Sequence, residues 1–156
     1  MRIAVVLVLA FIAAIPSTVM PAAADSGPPV EQLFQQFGLF GTWATNCEAP
    51  ASPANPRVTI GVPTAGVVLE DHDLGPDYAL NRYSVLAAQR IAAERLSADV
   101  IFQPGTAGEE RQRLEFLVHN GTRRTMFNRP DGGPVRVKGG IVLARGSKTP
   151  LLRKCE

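Results

Sequence analysis

The densest group of residues able to do chemistry is Glu70-Asp71-His72-Asp73, with Asp77 shortly after it. Carboxylate oxygens beside one imidazole could hold calcium or a transition metal. The order does not match the calcium loop D-x-D-x-D-G, and the adjoining Gly75-Pro76 makes these carboxylates read as loop solubilisers, so no metal site is assigned. The second histidine, His119, directly precedes Asn120-Gly121 and is expected in solvent. Nucleophilic catalysis would need a nucleophile, a base and an orienting group that converge. Ser84, Ser97 and Ser147 all lie outside a G-x-S-x-G elbow, and the chain has no Gly-rich phosphate loop or dense Cys/His motif. The expectation is a protein that is not an enzyme and uses no cofactor.

Cys47 and Cys155 are the only cysteines. Their fate depends on compartment. Met1-Arg2, the uncharged apolar run Ile3 to Ile15 and Ala22-Ala23-Ala24 together form a signal-peptide pattern over residues 1–24, of a short, Ala-rich bacterial kind. An apolar run of 13 residues falls short of the roughly 20 a spanning helix needs. No later stretch comes close, and no cysteine follows the run to carry a lipid. The expected product is periplasmic or secreted, with no transmembrane segment in the mature chain. In an oxidising compartment the two thiols should form one disulfide, closing a loop of about 108 residues and tying the last strand or tail to the first.

Of 156 residues, 132 remain after that segment, enough for one domain. A hydrophobic content of 46% against 19% charged residues suits a packed core and excludes collagen, a coiled coil or a wholly disordered tail. Ser26-Gly27-Pro28-Pro29 can open a helix, with Ser26 or Gly27 as the cap. Val30, Leu33, Phe34 and Phe37 then recur at i, i+3, i+4 and i+7, which predicts one short amphipathic helix ending near Gly38. Residues 25–38 thus form an N-terminal segment and residues 39–156 the main domain.

Leu39 to Cys47 reads as a first strand, and Pro50, Pro53 and Pro56 make the next stretch a loop. From Arg57 the period becomes two. Val58, Ile60 and Val62 share one face, and Leu114, Phe116 and Val118 alternate with Arg113, Glu115 and Leu117. Further strands are predicted over 66–71, 79–89, 99–103, 110–119, 123–128 and 135–144. Asn120-Gly121 is the clearest hairpin signal. Leu80 to Leu96 also fits a helix of about four turns; the alternation of Tyr83, Val85 and Ala87 favours a strand, with a turn at Ser97-Ala98-Asp99. Gly139-Gly140 inside an otherwise good strand predicts a bulge or sharp bend. Seven or eight such strands with short links make a mainly β, antiparallel meander, and closing it into a barrel removes exposed edges.

A short helix, then Gly41-Thr42-Trp43 opening the first strand, then a β-meander with a basic end, resembles the lipocalin and calycin pattern. The resemblance implies a lipocalin-like barrel in which Trp43, the single Trp, closes one end against a late arginine, here Arg145 or Arg153. The usual long C-terminal helix of that family has no counterpart, because residues 145–156 are too polar. The opening Gly38-Leu39-Phe40-Gly41-Thr42-Trp43 and the closing Leu151-Leu152-Arg153-Lys154-Cys155 are also similar to a group of small exported alphaproteobacterial proteins with no assigned function.

Charge is segregated along the chain. Residues 25–110 carry a net −7 and residues 111–154 a net +9. In a meander these halves become opposite walls, and they can either satisfy each other where the barrel closes or leave a charged face that orients partners. Arg111, Arg113, Arg123, Arg124, Arg136 and Lys138 are the candidates for a basic face toward an anionic envelope component, such as lipid headgroups, lipopolysaccharide or an acidic protein. Nucleic acid is excluded for want of interleaved aromatic surface. Two functions follow as expectations. The first is a non-catalytic binder of a small apolar molecule or lipid, with Val58, Ile60, Val62, Leu114, Phe116 and Val118 lining a cup; it requires a lumen that is not packed solid. The alternative is an interaction or inhibitor module acting through the basic face, with the segment before Trp43 as an inserted element.

Overall fold

A computed structural model describes residues 29–156. The expected signal peptide and the helix-capping residues Ser26 and Gly27 lie outside the described residues. Helix α1 (Val30–Gln36) is followed by strands β1 (Gly41–Ala44), β2 (Arg57–Thr64), β3 (Val67–Asp73), β4 (Asn81–Ala92), β5 (Arg95–Phe102), β6 (Glu110–His119) and β7 (Thr122–Pro130). Four short strands complete the chain: β8 (Val137–Lys138), β9 (Ile141–Val142), β10 (Ser147–Lys148) and β11 (Leu152–Lys154). All pairings are antiparallel. Strands β1 to β7 pair in sequence, β7 pairs with β11 and β11 with β1, so eight strands close into a barrel with no free edge around the ring.

The helix exists because its apolar stripe has a barrel end to cover. Leu33 and Phe34 are buried, and Pro29 rather than a side-chain cap precedes the first turn. Gly38 terminates α1 at φ +63, its N–H donating to Gln35 O while the Leu39 N–H donates to Phe34 O, each at 2.9 Å. That double bond pattern needs a left-handed residue, which glycine supplies without steric cost. It also turns Leu39 back onto Phe34, and both are fully buried. Arg90 stacks over Phe37 at 4.2 Å, and Glu31 accepts a bond from Gly66 N, so α1 sits over the end of the barrel marked by the β2–β3 turn and the far end of β4.

Inside, alternation does what the sequence pattern predicts. Val58, Ile60, Val68, Leu96, Val100 and Phe116 belong to one buried cluster with Trp43, Leu33 and Phe34. The seam of the barrel is its narrow part. Only Leu152 and Arg153 of β11 pair with β7, and only Lys154 and Arg153 pair with β1. The rest of the β7 edge is covered by β8, which pairs with Phe127 and Asn128. Between these two coverings, Thr149 Oγ1 donates to Thr125 O at 2.8 Å and Gly140 N to Met126 O at 3.0 Å, which stitches the 131–151 excursion onto the wall. The Cys47–Cys155 disulfide, with Cα atoms 5.5 Å apart, lies just past the paired ends of β1 and β11.

Two expectations are corrected. Residues 80–96 are strand and not helix, but β4 ends at Ala92 and its hairpin turn falls at Ala93-Glu94, while Ser97-Ala98-Asp99 lies within β5. The Arg90 guanidinium, donating to Ala93 O at 3.0 Å, serves this turn in place of Gly or Asn. Gly139 and Gly140, at φ +58 and +77, are the two central residues of the β8–β9 hairpin, not a bulge within one strand. Residues 145–156, expected to lack a long C-terminal helix, supply β10 and the closing strand β11. The Asn120-Gly121 turn stands as expected, with φ +46 and +68 between β6 and β7.

Because the disulfide locks the seam across a separation of 108 residues, replacing both Cys47 and Cys155 by Ser should lower unfolding free energy by about 4–5 kcal/mol. Urea titration with and without reductant measures this, and the double variant should no longer respond to reductant.

Candidate ligand-binding site inside the barrel

The cluster that opened the sequence reading is split by strand geometry. Successive residues of β3 point to opposite faces, so Glu70 and His72 face inward while Asp71 and Asp73 face out. Asp71 accepts two bonds from Arg82 at 2.7 and 2.8 Å, and Asp73 accepts one from Gly75 N. Among the described residues no group of three His, Cys, Asp or Glu side chains is placed to hold a metal ion. Register puts Ile60 opposite Glu70 and Val58 opposite His72, so the two polar side chains share the face of the expected cup lining.

Glu70 Oε1 accepts a bond from Arg123 Nη2 at 2.8 Å and one from His72 Nε2 at 2.6 Å. Glu70 and Arg123 are each only 2% exposed. Strands β3 and β7 lie four positions apart either way round the eight-stranded ring, so this ion pair spans the lumen. Burial alone would raise the Glu70 carboxyl. The Arg123 charge and the bonds from His72 and Arg123 outweigh it and hold the group at about 2, against an ordinary 4.5. Tyr83 stacks on His72 and on Phe102, each at 5.0 Å between ring centroids. Its hydroxyl is pushed up to about 12, first by burial and then by the Glu70 charge, so it stays protonated.

On the side of this pair away from α1 lies a cavity of about 310 Å³. Val58, Leu114, Val137 and Leu152 give it apolar surface, and Arg123, Arg124, Arg145, Asn128, His72 and Tyr83 give it polar surface. The Arg123 guanidinium lies 4.6 Å from the Phe116 ring, which fixes its plane. Its Nε and Nη1, Arg124 Nε and Asn128 Oδ1 are buried without a protein hydrogen-bond partner. Asn128 is oriented by its other end, Nδ2 donating to Gln112 Oε1 at 2.7 Å.

The expected lining is thus divided by depth. Val58 and Leu114 line the cavity, Ile60 and Phe116 are packed in the core, and Val62 and Val118 pack against that core. Trp43 is 1% exposed and donates its indole N–H to Leu39 O at 2.7 Å. The cation over its ring is Lys154, at 5.8 Å, and not Arg145 or Arg153; Lys154 also donates to Gly38 O, whereas Arg153 bonds Thr45 O and Arg145 bonds Ser147. Lys154 is the β11 residue opposite Trp43, so register selects it. Gly41 holds φ +111 at the start of β1.

The basic face does not assemble as expected. Arg123 is interior, because β7 places it on the same side as the lumen. Arg113 makes a two-bond pair with Asp99 on β5, and Arg136 makes one with Glu110 on β6. Arg124 lines the cavity, so of the exposed candidates Arg113 and Arg136 are paired with carboxylates and Arg111 and Lys138 are the two outside those pairs. His119 is exposed, as expected, and bonds Glu94 of the β4–β5 turn.

What sequence reasoning missed had a partial signal. Val68, Glu70 and His72 alternate, so an inward Val68 already implied an inward Glu70. Arg123 carried no such signal, since both of its neighbours are polar and a register shift at Met126 breaks the β7 pattern. Comparison of the chain with protein families, with curated proteins and with solved structures finds no match. The class is therefore set by strand pairing alone: a closed, eight-stranded antiparallel barrel with one short helix near its N-terminus.

The low Glu70 value has a definite pH consequence. Between about pH 4.5 and 2 the unfolded chain binds a proton that the native protein refuses, so the stabilisation from this group is present above 4.5 and lost as pH falls through 2. On the order of 3 kcal/mol should disappear over that window, and Glu70→Gln should flatten the dependence in acid denaturation. Arg123→Met alone should cost about 3–5 kcal/mol by leaving a buried carboxylate unpaired, while the neutral pair Glu70→Gln with Arg123→Gln should cost less.

Proposed function

We propose that this protein is an exported, non-catalytic binder of a small molecule or lipid, of lipocalin-like form, with its ligand held in the barrel lumen. One observation carries the reading: a cavity of about 310 Å³, open on one side, whose wall joins apolar Val58, Leu114, Val137 and Leu152 to polar Arg123, Arg124, Asn128 and Tyr83. Ligand pockets run from about 300 Å³ upward, so the ligand is small. A barrel of this size needs most inward residues for its core, and the division between Ile60 and Phe116 below and Val58 and Leu114 above is how one set of strands serves both needs. The disulfide supports an oxidising compartment. Absence of catalysis is part of the proposal and is supported by the commitments already made: Thr149 Oγ1 is engaged in the wall and both cysteines are oxidised. The pairing of Arg113 and Arg136 with carboxylates, and the burial of α1 on its own barrel, weigh against the inhibitor alternative.

Titration with the neutral fluorescent probe N-phenyl-1-naphthylamine tests this reading. Saturable, one-to-one enhancement is expected, and Leu114→Trp, which fills the lumen, should abolish it in a protein that still unfolds cooperatively on heating. Enhancement that fails to saturate, or that survives Leu114→Trp unchanged, would place the probe elsewhere and overturn the proposal.

A further inference from the structure

Resting on that reading, we infer that the ligand is an amphiphile whose compact anionic head, a carboxylate or a phosphate, is taken by Arg123 and Arg124 at the polar wall of the cavity. Arg123 has five N–H donors, and Nη2 is the nitrogen engaged by protein, at Glu70 Oε1. Nε and Nη1 are buried without a partner on a side chain 98% removed from solvent, and Phe116 beneath the guanidinium keeps it from turning away. Unpaired buried donors are costly, and a guanidinium fork is the donor set that matches two oxygens of one anion. Arg124 Nε is unpartnered in the same way and lines the same cavity.

Charge agrees with the donor geometry. The lining carries Arg123, Arg124 and Arg145 and no carboxylate. Glu70, beneath, balances Arg123, while half-buried Arg124 and exposed Arg145 leave the site a net positive charge that favours an anion over a cation. Asn128 Oδ1, a buried acceptor without a protein partner, would take a donor such as a hydroxyl near the head. The opposite wall of Val58, Leu114, Val137 and Leu152 accepts the apolar body.

Displacement of N-phenyl-1-naphthylamine by decanoate, decyl phosphate and decanol, with the full chain at fixed ionic strength, tests the inference. The anions should displace the probe at least tenfold more strongly than decanol, and whichever anion is tighter identifies the head. Arg124→Gln, and separately the neutral pair Glu70→Gln with Arg123→Gln, should each reduce the anion's advantage at least fivefold while leaving decanol unchanged, with circular dichroism confirming the fold. Equal displacement by decanol and both anions overturns the anionic head and leaves the lumen as the binding site. An advantage for anions that persists in both variants overturns the role of Arg123 and Arg124. Failure of the probe and of all three competitors to bind overturns the anionic head and the lumenal site together.

Discussion

The Glu70–Arg123 ion pair divides the barrel. It joins strands on opposite sides of the ring, so it is a strut across the lumen rather than a contact along the wall. On the α1 side the interior is a packed apolar core, and on the other side it is a cavity. Two fully buried charges are costly to desolvate, and a hydrophobic pair of similar volume would often be at least as stable. What the ionic pair provides that a hydrophobic one would not is a fixed guanidinium with buried N–H donors to spare beside the cavity. His72 strengthens the arrangement by bonding the same carboxylate oxygen, and Phe116 supports the guanidinium from below.

The seam is the complementary constraint. The three-residue strand β11 and a split edge on β7 close the ring, and without the Cys47–Cys155 bond and the Thr149 stitch this would be its weakest line. The same split supplies cavity wall, since Val137, Arg145, Thr149 and Pro150 all belong to the 131–151 excursion that fills the gap between β8 and β11. Closure and site formation are thus one event in the chain.

Period-two alternation made the barrel legible in the sequence, because Val58, Ile60, Leu114 and Phe116 had polar neighbours to contrast with. The helix was legible for the same reason at its own period, and Gly38 marked its end. The β4–β5 turn was not, since a turn held by an arginine to a carbonyl has no Gly or Asn to announce it. The site was legible only in part. Four of the six expected lining residues proved to be packed in or against the core, which no one-dimensional pattern distinguishes from cavity wall, as both sets of residues point inward. The opposed charges of the two halves of the chain were visible, and their meaning was mutual satisfaction: Asp99 with Arg113, Glu110 with Arg136 and, inside, Glu70 with Arg123. Only the last pair leaves donors to spare.

The most direct measurement is a crystal structure of the protein purified from its own host without detergent. The account requires electron density for an elongated small molecule in the lumen above Arg123, its polar end within hydrogen-bonding distance of Nε or Nη1. A lumen closed by Tyr83, Leu114 and Leu152 packed against one another, with Arg123 paired to a second carboxylate of the protein itself, would contradict it.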